Sequence, residues 1–164
     1  MEINDKFQLK EPVIHGNDIF PINVYNNIKV NNKQLFLYHW HNEVEFLHLR
    51  EGEATFYLDT NPIVLKKGEF IFINSGIVHS GYSKNYLDCS FDAIVFDTNI
   101  LNSNTTGISQ NKYISPFLNK KSIIPNKYTK ETDWGIEVIK SLNFIIKEFN
   151  SRKKGYELAV NGAL

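Results

Sequence analysis

Tyr38-His39-Trp40-His41-Asn42-Glu43-Val44-Glu45 is the stretch on which the reading of this chain turns. Side chains alternate with a period of two along a strand, so an extended backbone here puts His39, His41 and Glu45 on one face. Two imidazoles and a carboxylate pointing one way form a donor set suited to zinc, iron, nickel, manganese or copper. A fourth ligand must then arrive from another strand, and His79, just after the Asn74-Ser75-Gly76 turn, is the candidate. The same four side chains also suit hydrogen bonds to ligand hydroxyls. Two readings therefore stand: a divalent ion held by His39, His41, Glu45 and His79, or a small molecule bound by them directly.

Outward from this stretch, residues 13–96 run as short β-branched and aromatic segments separated by turn residues, the pattern of an all-β sandwich or barrel. Asn26-Asn27, Asn31-Asn32, Glu51-Gly52, Asp59-Thr60-Asn61-Pro62, Lys67-Gly68 and Asn74-Ser75-Gly76 are the expected turns. Strands are expected near 34–41, 44–50, 53–58, 63–66, 69–73 and 86–96. In the third of these, Glu53, Thr55 and Tyr57 share one face and Ala54, Phe56 and Leu58 the other, and the pattern leaves open which looks inward. His48 lies on the opposite face from Glu45, with Phe46, and reads as a packed or surface residue rather than a ligand; Trp40 has the wrong parity for the site and is expected to pack outside the barrel, against a helix or a partner subunit. His15, in a loop before Gly16-Asn17-Asp18, is assigned no role.

Residues 99–132 are polar with scattered apolar side chains and read as a connector with one or two short helical turns. Val138, Ile139, Leu142, Ile145, Ile146 and Phe149 then fall on one face of a helix over roughly 133–150. That stripe must be buried, against the β domain or against a second copy. Past Gly155, Tyr156, Leu158, Ala159, Val160, Ala163 and Leu164 read as the opening of another helix with no terminator, so the chain is expected to continue.

The 164 residues suffice for one core and an appendage: a barrel over 1–98, a connector over 99–132 and a helical segment over 133–164. Eighteen basic residues balance eighteen acidic ones, which argues against nucleic-acid binding by this chain alone. Cys89 is the only cysteine, which excludes an intramolecular disulfide and a cysteine zinc knuckle and leaves a buried apolar role. No leader and no apolar run near ~20 residues is present, so a cytoplasmic protein without membrane contact is expected. Abundant Lys, Asn and Ile beside only two arginines, Arg50 and Arg152, suggest an AT-rich bacterial source.

His39-x-His41, three residues, Glu45, six residues, Gly52 resembles the first cupin motif, and Gly68, five residues, Asn74-x-Gly76, two residues, His79 resembles the second. The chain departs at Lys33 for the usual opening glycine, Asn74 for the proline and Ser83 for the closing asparagine, while all four ligand positions are matched. A wider resemblance, through His39–Phe46, Leu49–Glu53, Lys67–Asn74, Ile77–Gly81, Phe91–Asp97 and Gly155–Val160, is to the N-terminal effector domain of AraC-type transcriptional regulators.

That resemblance implies a mainly β, cupin-type double-stranded β-helix (jelly-roll barrel) followed by C-terminal α-helices. It implies a small-molecule effector, a sugar in the founding family, bound at His39, His41, Glu45 and His79, with no cofactor required and a divalent Zn, Ni, Fe or Mn as the ion if one is bound. It further implies a homodimer through the 133–150 helix, and DNA contact only through a C-terminal helix-turn-helix domain that lies outside this chain. The alternative from the same ligand set is a small metal-dependent cupin enzyme, an isomerase or dioxygenase.

Overall fold

A computed structural model of the chain describes residues 3–84, 88–102, 107–119 and 124–164. A short helix α1 (Ile3–Gln8) precedes β1 (Ile22–Val30), β2 (Gln34–His39), β3 (Val44–Glu51), β4 (Glu53–Leu58), β5 (Asn61–Lys66), β6 (Phe70–Ile73), β7 (His79–Ser83) and β8 (Cys89–Phe96). A 3-10 turn (Thr98–Leu101), a helical run ending in α2 (Ser115–Leu118) and a two-residue strand β9 (Lys127–Tyr128) follow. The chain then enters α3 (Asp133–Ser151) and α4 (Tyr156–Ala163). The strands form two antiparallel sheets, β1-β8-β3-β6-β9 and β2-β7-β4-β5. This is the double-stranded β-helix with C-terminal helices that the family resemblance implies.

The inner faces of the two sheets bury Leu47, Leu49, Phe56, Leu65, Ile71, Ile73 and Phe91 against one another. Ala54, Phe56 and Leu58 are the inward set of β4, which settles the face the alternation left open. Gly52 lets the chain pass from one sheet to the other. It has φ 90°, and a Cβ there would stand 2.6 Å from Cys89 Sγ and 2.9 Å from the Asp88 carbonyl. Cys89 itself is buried, as expected.

The outer face of the five-stranded sheet is covered by α3 and α4. Ile139, Leu142, Ile145, Ile146 and Phe149 pack on Ile22, Val24, Val44, Phe70, Phe72, Ile94 and Phe96. The apolar stripe of α3 is therefore buried within the chain, against the β domain, and only Trp134 and Phe144 leave large apolar surface on its other side. Thr132 caps the helix, its hydroxyl accepting from the Gly135 N–H at 3.1 Å. Thr132→Ala is expected to lower stability by about 1 kcal/mol, read as a shifted urea midpoint with an unchanged slope.

Several sequence expectations are corrected. Asn26-Asn27 is not a turn but a bulge inside β1, where the register to β8 shifts between Tyr25 and Ile28 and Asn27 takes φ 52°. The bulge changes the parity of the strand, so Tyr25 and Ile28 both face the barrel interior. Asn61-Pro62 belongs to β5 rather than to the turn, because β5 is an edge strand and Pro62 needs no ladder donor there. The 34–41 strand ends at His39, and β7 escaped notice because Ser80-Gly81 carries no strand-forming side chains. The expected 86–96 strand is observed as Cys89–Phe96, and residues 86–87 lie outside those described. The connector contributes β9, which pairs with β6.

Two side chains outside the barrel behave as their parity predicts. Trp40 packs on α1, its Nε1 donating to the Lys6 carbonyl at 2.6 Å with the Lys6 and Lys10 ammonium groups over its ring. His48 stacks flat on Phe70, with ring centroids 4.1 Å apart, and its Nδ1 lies 3.2 Å from Asp92 Oδ2. Asp92 also accepts from Arg50 Nη1 at 3.0 Å and from the Asn27 N–H of the bulge at 2.7 Å. It is fully buried and ties β8 to β1 and β3.

Candidate metal centre

His39 ends β2 directly opposite His79, which opens β7, and the two rings lie 4.2 Å apart. His41 sits in the loop after β2, its carbonyl accepting from the Gly76 N–H at 2.9 Å, so the two motifs are joined by backbone as well as by side chains. Glu45 enters from β3. The ligand atoms of His39, His41 and His79 all lie within 4.8 Å of one another. Glu45 Oε2 is 3.2 Å from His41 Nε2 and 3.4 Å from His79 Nε2. All four sequence candidates are thus brought together, with His41, Glu45 and His79 buried and His39 partly exposed.

The backbone fixes how these rings present themselves. Nδ1 of His39 lies 2.9 Å from the Leu37 carbonyl, Nδ1 of His79 2.9 Å from the Ile77 carbonyl, and Nδ1 of His41 3.1 Å from the Glu43 carbonyl. A carbonyl only accepts, so each Nδ1 carries the proton and each neutral ring offers an Nε2 lone pair to the cluster. Main-chain orientation of this kind is what ligating histidines require. Three imidazole acceptors and a carboxylate then face one another, an arrangement that a cation or a shared proton stabilises. His79 Nε2 is buried and without a hydrogen bond. The three histidines are therefore close enough, and correctly turned, to bind a metal ion.

Protonation states follow the same geometry. Burial works to raise the Glu45 carboxyl, but the hydrogen bond from His41 and the close approach of His79 outweigh it and hold that group well below the usual carboxylate range. Burial works to lower His41, yet its bond to the Glu45 carboxylate raises it overall. His39 is lowered, first by burial and then by the neighbouring charge of His79. Where His41 is protonated, that proton bridges to Glu45.

A cavity of about 240 Å³ opens beside the cluster, lined by Tyr25 and Ile28 of β1, Phe36 of β2, and Phe91, Ala93 and Val95 of β8, with His39, His41 and Glu45 in its wall. It is smaller than the ~300–1,000 Å³ of sites for drug-sized ligands, so it suits a small molecule. A strap before β1 adds Glu11, Val13 and His15 to the lining. His15, assigned no role from the sequence, is buried there. Its Nδ1 is 2.9 Å from the Tyr25 hydroxyl and its Nε2 3.2 Å from Glu11 Oε2. Gly16, at φ 83°, makes the tight return that allows this, since a Cβ would stand 2.4 Å from the Ile22 nitrogen. Spacing carried no signal for Glu11 or Tyr25; the Gly16-Asn17 return behind His15 was the one local clue.

Residues 28–85 match the Cupin domain family. Over 147 residues the chain is 24% identical to the uncharacterized HTH-type transcriptional regulator YdeC of Bacillus subtilis, a match covering 87% of this chain and 50% of that protein. The chain thus spans about half the length of that curated relative. Among solved structures it is similar to an RmlC-like cupin family protein of Methanocaldococcus jannaschii with a double-stranded β-helix fold, at 21% identity and TM-score 0.41 over 46% of this chain and 69% of that one. It is also similar to a protein of Thermotoga maritima described as a predicted oxalate decarboxylase, at 25% identity and TM-score 0.39 over 43% of this chain and 62% of that one. No helix among the described residues is long and apolar enough to cross a membrane.

Proposed function

We propose that this cupin domain is the sensing half of a bacterial AraC-type transcriptional regulator. A small effector, with a sugar as the first candidate, binds in the barrel beside a divalent ion held by His39, His41, Glu45 and His79. In this reading residues 1–98 sense, 99–132 connect, and 133–164 dimerise and transmit to a DNA-binding domain beyond this chain, in the cytoplasm.

The observation that carries the reading is the division of labour along β8. Ala93 and Val95 line the cavity while Ile94 and Phe96, their immediate neighbours, pack against α3. A ligand that displaces the cavity face of this strand necessarily acts on the seat of the helix, which is the differential contact a two-state switch needs. Homology to a regulator of twice the length supports the same assignment.

Elemental mass spectrometry of the purified chain, followed by a thermal-shift screen of sugars with and without Zn²⁺, Ni²⁺, Fe²⁺ or Mn²⁺, tests it. Ala93→Leu fills the cavity from a strand that otherwise keeps its packing, and overpacking costs about 1–3 kcal/mol. The variant is expected to fold and to lose the effector-dependent rise in melting temperature while keeping its metal. A ligand response that survives the filling would place the effector elsewhere. The rival, a metal-dependent cupin isomerase or dioxygenase, draws on the partly exposed His39 side of the cluster, where a substrate has access to the ion. Turnover of a bound sugar, or ion-dependent O₂ uptake, would favour it.

A further inference from the structure

We infer that Glu11, on the strap that lines the cavity before β1, is an additional ligand of the cation, a second carboxylate beside Glu45. The inference rests on the cation reading above and adds a residue that lies outside both cupin motifs.

Glu11 Oε2 lies 3.8 Å from His39 Nε2. Atoms bound to one ion by bonds of ~2.1 Å are ~3.0–3.4 Å apart at right or tetrahedral angles and ~4.2 Å apart when opposite. The Glu45 contacts to His41 and His79, at 3.2 and 3.4 Å, fall in the first range, and the Glu11–His39 separation falls between the two. The carboxylates contact different rings: Glu45 lies against the buried pair His41 and His79, and Glu11 against His39.

His15 positions this carboxylate. Glu11 only accepts, so His15 Nε2 donates to it, and His15 Nδ1 in turn accepts from the Tyr25 hydroxyl. A ligating carboxylate held by a buried, oriented donor is the usual outer-shell arrangement at metal sites. Independently, His79 Nε2 is buried, faces the cluster and has no hydrogen-bond partner among the described residues, which leaves its lone pair available to a cation. Charge points the same way. Three neutral imidazoles and Glu45 leave a divalent ion with one uncompensated positive charge in a cavity walled by Ile28, Phe36, Phe91 and Val95. Glu11 neutralises it where burying net charge is costly.

The test adds Co²⁺ to the metal-free chain and follows its visible absorption and its competition with a chelating dye. Glu11→Gln is expected to weaken Co²⁺ binding by about tenfold or more and to change the visible band, with Glu11→Asp recovering part of both. Far-UV circular dichroism of the metal-free variants checks their folding. A readout that needs no substitution is the NMR spectrum of the Co²⁺-loaded wild type, in which two glutamate side chains should carry contact shifts. If the wild type binds Co²⁺ and Glu11→Gln matches it in affinity and spectrum, with one glutamate shifted, the Glu11 assignment alone falls. If the wild type takes up no ion, the cation reading falls and Glu11 with it.

Discussion

Replacing His79 with alanine is expected to abolish cation uptake and, with it, all metal-dependent stabilisation. In the wild type an ion present at a hundred times its dissociation constant adds about 2.7 kcal/mol by mass action. For a chain of this size that is a rise of about 5–11 °C in melting temperature. The effect is large at this position because His79 is only 1% exposed and its Nδ1–H is already committed to the Ile77 carbonyl, so no neighbouring imidazole can take its place. The alanine variant also leaves a cavity, so the informative quantity is the increment on adding Zn²⁺ or Ni²⁺, not the metal-free melting point. His48→Ala, outside the cluster, should retain the full increment. The increment should shrink as pH falls: the proton that bridges His41 to Glu45 must leave before Nε2 can bind a metal, and the raised affinity of His41 for that proton makes it the competing cation. A metal increment that persists in His79→Ala would remove this histidine from the site.

The histidine–glutamate cluster was legible in the sequence because period-two alternation and turn spacing are local properties. His39, Glu45 and the His79 position follow from them directly, even though His41 proves to sit in a loop rather than a strand. The wall opposite was not legible. Tyr25 faces the cavity only because the Asn26-Asn27 bulge lets it and Ile28 share a side, and a bulge cannot be told from a turn until the partner strand β8 is in place. Glu11 and His15 are brought in by a non-periodic strap whose course depends on the Gly16 return. The burial of α3 was undecidable for a related reason. A stripe of Ile139, Leu142, Ile145 and Phe149 states that a partner exists, and only the assembled sheet identifies it as Ile94 and Phe96 of the same chain. A homodimer through this helix must therefore use surface other than that stripe, such as the side carrying Trp134 and Phe144.

Asp92 carries the second large prediction, and it concerns the strand on which the proposed signal depends. Its carboxylate has no exposed surface and accepts from His48, Arg50 and the bulge N–H of Asn27. Burial works against the charge, but these three donors outweigh it and hold the group below the ordinary Asp value. Asp92→Ala strands an N–H and a guanidinium at once. Losing one partner of a buried ion pair costs about 3–5 kcal/mol, and the lower end, about 3, applies here because Arg50 is nearly half exposed and can return to water. The sign of the pH effect follows from the depressed value. The stabilisation is fully present above the unfolded Asp pKa of about 3.9 and is lost as pH falls through the folded value. Wild-type stability should therefore decline below about pH 4 with a slope to which both Asp92 and Glu45 contribute, and Asp92→Ala should remove one proton's share of it. Urea titrations of both proteins between pH 3 and 7 would measure this. Parallel curves would mean that Asp92 titrates alike in the folded and unfolded chains. A difference that narrows toward pH 3 would confirm that the ionised carboxylate pins the β1 bulge to β8, holding Tyr25 and Ala93 on the two strands that wall the cavity.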